Sequence, residues 1–81
     1  MTATRDDTNT GVVVKCTWDG TMGAFDVMHV FIRDDITIAN HTDWIYDRVW
    51  DTCIVRDNDE SVMSIVNTIL DVARTLHGVT T

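Results

Sequence analysis

Asp43, Asp47 and Asp51 follow one another at intervals of four residues. On a helix this spacing stacks them in one column, with Cβ atoms about 5–6 Å apart at each step. That step is of the same order as the spacing of phosphates along a nucleic-acid strand, so the column can act as a phosphate-like row of charge. Neighbouring like charges oppose the helix by about 0.2–0.5 kcal/mol per pair. Asp34 and Asp35 are candidates to extend the same surface. Trp44, Tyr46 and Trp50 are interleaved with the acids; such aromatics are enriched at binding hot spots. The candidate binding set is therefore Asp34, Asp35, Asp43, Asp47, Asp51, Trp44, Tyr46 and Trp50. The plainer reading is a solvated acidic face beside aromatics that fill a small core.

Other reactive residues do not assemble into a motif. His29, His41, His77, Cys16 and Cys53 include no CxxC or HxxxH spacing, so no metal or other cofactor is expected. His41 and Asp43 read as a surface loop pair. Asp57-Asn58-Asp59-Glu60-Ser61 begins like a calcium loop but has Val62 where the turn needs Gly and Thr68 where the bidentate Glu belongs. Cys16 lies within a strand-like run and Cys53 beside Asp51, and neither has the electropositive setting that activates a thiol. Both read as small buried apolar residues in a reducing compartment, or as one disulfide in an exported protein. Gly20 and Gly23 lack the Lys-Ser/Thr of a phosphate loop. Asn40-His41-Thr42 fits a glycosylation acceptor, which matters only in a secreted chain. An enzyme would have to draw a His and two acids from His29, His41 and the aspartates into a cleft. No catalytic residue is assigned.

The charge narrows the partners. Formal net charge is −7, and twelve of the thirteen acids are Asp. Lys15 is the one lysine among six basic residues. Binding to DNA, RNA or an anionic membrane needs the opposite balance, whereas a basic protein surface is attracted. No apolar run is long enough for a transmembrane helix, and Met1–Thr10 lacks the basic start and apolar stretch of a signal peptide. A cytoplasmic location is expected.

The elements that position these residues read as α+β, with 1–10 as a mobile polar arm and 11–81 as one domain. The β-branched run 11–18 predicts a strand, and Asp19-Gly20-Thr21-Met22-Gly23 supplies turn chemistry. Residues 24–33 predict a second strand, antiparallel to the first. Apolar residues on both its faces in the second half predict a central strand covered on both sides. Ile36–Ala39 reads as a short third strand. Asn40 to Val55 is ambiguous. As a helix, capped by Asn40 or Thr42, it gathers Trp44, Ile45, Arg48, Val49 and Cys53 on one side; as a strand it aligns Trp44, Tyr46, Arg48, Trp50 and Ile54. The acid spacing favours a helix over 42–52, with Cys53–Arg56 as its last turn or a short strand.

The region 58–77 has the clearest pattern. Val62, Ile65, Val66, Ile69, Leu70, Ala73 and Leu76 recur at helical spacing. Asp57 and Glu60 have capping-box spacing, Gly78 stands where a helix stops, and Asp71 can pair with Arg74. This helix must share a core with the sheet.

The expected function is a small acidic protein-binding module, an inhibitor or nucleic-acid mimic that occupies a basic groove on a nucleic-acid enzyme. In charge and size the chain is similar to small acidic inhibitor proteins carried by phages, which occupy nucleic-acid sites on host enzymes. That likeness implies a viral protein acting in the host cytoplasm. The alternative is a structural or regulatory homodimer whose acidity serves solubility, since domains this small often gain stability from a partner subunit.

Overall fold

The computed structural model describes the backbone of residues 1–20, 23–52 and 59–77, and side-chain surroundings outside 18–26. Three strands, β1 (Thr2–Asp6), β2 (Gly11–Gly20) and β3 (Gly23–Arg33), precede helices α1 (Thr42–Thr52) and α2 (Asp59–Arg74). The sheet is antiparallel in the order β1-β2-β3, with the helices on one face. The chain is thus α+β, as its apolar patterning predicts.

Period-two alternation sorts the sheet residues. Val12, Val14 and Cys16 on β2 and Met28, Val30 and Ile32 on β3 face the helices and are buried. Their neighbours Lys15, Thr17, Val27 and His29 face outward and are exposed. The register shifts between Cys16 and Trp18; beyond the shift the strands stay paired as far as Gly20 and Gly23. The two-sided apolar pattern of β3 therefore does not make it central. Among the described strands it lies at an edge, and β2 is the central one. An antiparallel sheet can leave one face to solvent in this way.

Two further expectations are corrected. Residues 1–10 do not form a featureless arm: Thr2–Asp6 pairs with β2, Thr2 opposite Lys15 and Asp6 opposite Gly11. The strand was hidden because its inner face carries only Ala3 and the stem of Arg5. Arg5 is anchored chemically instead. Its guanidinium donates to both carboxylate oxygens of Asp34, at 2.8 and 2.6 Å, and to the Leu76 carbonyl at 3.0 Å. One side chain so joins the first strand, the end of the third and the end of α2. Asp34 holds the Arg5 guanidinium firmly protonated. In the turn to β2, Asp6 accepts from the backbone N–H and the side-chain amide of Asn9, which lowers its own pKa.

The second correction concerns 36–39. No strand forms there; Ile38–His41 is a turn of 3-10 helix leading directly into α1. Ile36 and Thr37 are strand-formers by type, but the segment is too short to pair, and Ile38 packs against the core. Neither Asn40 nor Thr42 acts as the expected entry cap. Thr42 is already helical, and its N–H donates to the Ala39 carbonyl.

The α2 stripe is buried as its spacing predicts: Val62, Ile65, Val66, Ile69, Leu70 and Ala73 are in the core, and Leu76 packs against it. Asp71 and Arg74 pair at 2.5 Å. The helix ends at Arg74, short of the expected 77, and the Leu76 and His77 amides both donate to the Ala73 carbonyl. Asp57, Gly78 and the segment Cys53–Arg56 lie outside the described residues. No described helix is long and apolar enough to cross a membrane.

Candidate functional site

The candidate site is the outer surface of α1. Ile45 and Val49 enter the core with no exposure. Their direction fixes the rest of the helix, since each residue advances about 100°. Asp43, Asp47 and Asp51 fall on the side opposite to that pair, and all three are exposed. None makes an ion pair with a described residue.

The expected buried side of the helix is only partly right. Trp44, placed there by spacing, is 38% exposed, and Arg48 is exposed too. Tyr46 and Trp50 instead pack at the margin of the core, stacked with ring centroids 6.1 Å apart. The Tyr46 hydroxyl donates to Asp59 at the start of α2, at 2.5 Å, and this bond raises the phenol pKa. Tyr46 therefore ties α1 to α2 with Trp50 stacked on it, leaving Trp44 as the aromatic beside the acidic column.

Trp44 is not loose. Its indole N–H donates to Nδ1 of His41 at 3.0 Å, with the rings edge to face. His41, read from sequence as a surface loop residue, is only 3% exposed. The signal that could have found it is positional: His41, Ile45 and Val49 lie at i, i+4 and i+8. Since Nδ1 accepts, the neutral ring carries its proton on Nε2, which is buried without a hydrogen-bond partner among the described residues. Burial lowers the His41 pKa below 6.5, and the nearby His77 and Arg33 add repulsion. The Arg33 carbonyl and Asp35 oppose the shift, but the short contact of that carbonyl is to Nε2 of His77, at 2.5 Å.

The unfolded imidazole binds a proton more readily than the folded one, so the contribution of neutral His41 is full above about pH 6.5 and is lost as pH falls through the folded pKa. Protonating Nδ1 also breaks the Trp44 bond. Between pH 7 and 5 the melting temperature should fall, with a change in indole fluorescence, and His41→Gln should flatten that slope. Parallel pH profiles for the two proteins would contradict this assignment.

Asp34 and Asp35 do not join the column as uncommitted charges. Asp34 is engaged by Arg5, with its side chain only 12% exposed, and Asp35 pairs with Arg33 at 2.6 Å. Cys16 is buried, its thiol pKa pushed up to about 11 by desolvation, so it is a protonated core residue. Cys53 lies outside the described residues. Among the described residues no three His, Cys, Asp or Glu side chains gather in a metal-binding group.

No protein-family model, curated protein or solved structure matches the chain.

Proposed function

We propose that this chain is a protein-binding module whose α1 helix presents the Asp43–Asp47–Asp51 column to a basic groove on a nucleic-acid enzyme, acting there as an inhibitor or nucleic-acid mimic. The observation that carries this reading is the column itself: three carboxylates on one exposed helical face, none of them paired with a described residue. A net charge of −7 adds long-range attraction toward cationic surfaces. Trp44 offers an apolar anchor beside the acids, and its bond to His41 holds the ring in place before a partner arrives.

The test is capture from a cell lysate by the immobilised protein. Capture should weaken steeply between about 50 and 200 mM salt, as it does when phosphates dock in the same kind of groove. Duplex DNA should release the captured enzyme, since mimic and mimicked compete for one site. Partners that remain bound in excess DNA and high salt would overturn the proposal.

A further inference from the structure

One edge of β3 does not pair with β2. Its hydrogen-bonding direction can be read from one contact. The Asp34 N–H donates to the Thr10 carbonyl at 3.1 Å, which makes Thr10 and Asp34 a hydrogen-bonded pair. Such pairs alternate along an antiparallel ladder. In the observed register the pairs Val12–Ile32, Val14–Val30 and Cys16–Met28 are then also bonded. The residues between them, His29, Phe31 and Arg33, turn their N–H and C=O groups away from β2. The Arg33 carbonyl is occupied by His77. His29 and Phe31 therefore present backbone donors and acceptors along an edge with no described strand beside it.

A groove of about 500 Å³ runs onto this edge, lined by Val13, Phe31, His29, Val30 and Arg48, with Asp6 and Asn9 at its β1 end. Val13 and Phe31 give it an apolar floor on the outer face of the sheet. Lys15 stands opposite His29 in the register. Arg5, Arg33 and Arg74 are all paired with aspartates, whereas Lys15 and Arg48 make no ion pair with a described residue and are exposed. The Asp6 carboxylate in the groove is held by Asn9. Among the described side chains, the two cations without an ion pair therefore flank this edge, Lys15 on the outer face and Arg48 from the helix side.

We propose that the His29–Phe31 edge of β3 docks an extended acidic segment of a protein partner by strand addition. The edge supplies backbone hydrogen bonds, and successive side chains of an added strand point to opposite faces. Adjacent acids in such a strand therefore reach both cations, one over His29 toward Lys15 and the other toward Arg48. A second copy of this chain fits the edge poorly, because antiparallel pairing of two β3 strands sets His29 and the flanking cations near their own copies.

The probe is a fluorescein-labelled hexapeptide of sequence Thr-Asp-Asp-Val-Asp-Thr, titrated with the full chain and followed by fluorescence polarisation. Saturable binding is expected. It should be abolished when alternate peptide amides are N-methylated in the phase that faces β3, and also when Lys replaces each Asp. Lys15→Gln with Arg48→Gln should weaken it about tenfold at an unchanged melting temperature, as two exposed ion pairs allow. Neutralising Asp43, Asp47 and Asp51 should leave peptide binding in place, which separates this edge from the α1 surface. Equal affinity for the peptides N-methylated in either phase would overturn the proposal, as would no saturation at millimolar protein. So would a dimer in sedimentation that His29→Pro, which removes an outward-facing N–H, converts to monomer while His29→Ala does not.

Discussion

Ile69→Asp should leave the protein without a cooperative thermal transition. Ile69 has no exposed surface and lies mid-stripe on α2, in a core also formed by Val12, Val14, Val30, Ile32, Ile45 and Val49. The substitution forfeits the burial of a full aliphatic side chain, about 1.5–3 kcal/mol. It also puts a carboxyl group where nothing can ionise or hydrogen-bond it, which adds at least about 1–3 kcal/mol. A domain of this size has a total stability of about 4–12 kcal/mol. Ile69→Val, which removes one methylene, should keep the transition and cost only about 0.5–1.5 kcal/mol. Circular dichroism melts of the two variants check this. A parent-like melt for Ile69→Asp would mean that α2 buries a different face.

Gly11→Ala should destabilise the sheet through a single added methyl group. Gly11 opens the central strand, opposite Asp6 on one side and Arg33 on the other, and it is buried although it faces outward. The Phe31 ring lies over it. A Cβ there would stand 2.5 Å from the Ile32 carbonyl oxygen and 2.5 Å from Cζ of Phe31. The ring can rotate away, but the carbonyl belongs to a paired strand and cannot move without opening the ladder. Overpacking of this kind costs about 1–3 kcal/mol, read as a lower denaturant midpoint at unchanged slope. A midpoint equal to that of the parent would show that the sheet yields there.

The parts of the fold legible in the sequence are those where burial imposes a period. The stripe from Val62 to Leu76 identifies α2, the apolar runs over 11–18 and 24–33 identify an antiparallel strand pair, and the acid spacing tips the ambiguous 42–52 toward the helix it forms. What escaped is held by polar chemistry or by context. β1 has no apolar rhythm, because Arg5 takes the place of a core residue by bonding Asp34 and Leu76. Ile36-Thr37-Ile38 carries strand-forming side chains but has no partner strand. The outer-face apolar residues of β3 suggested a covered sheet; Phe31 covers Gly11 instead, and Val27 stays half exposed.

The candidate site was legible in the same uneven way. The column needs only the helical period, so the sequence alone groups Asp43, Asp47 and Asp51. The aromatics could not be sorted by spacing alone. Tyr46 reaches Asp59 on α2 with Trp50 stacked on its ring, and Trp44 turns outward onto a buried histidine. Asp34 and Asp35 looked like further free charge because their arginine partners, Arg5 and Arg33, come from β1 and β3.

The central claim is that the exposed carboxylates of α1 form the docking surface, and the most direct measurement is the affinity of a captured partner for the chain carrying Asp43→Asn, Asp47→Asn and Asp51→Asn. The replacements keep shape and remove charge, and relief of like-charge repulsion along the helix should leave the melting temperature unchanged or slightly higher. Binding should weaken tenfold or more, and its salt dependence should flatten. Unchanged affinity with an unchanged salt dependence, in a variant that still folds, would contradict the account.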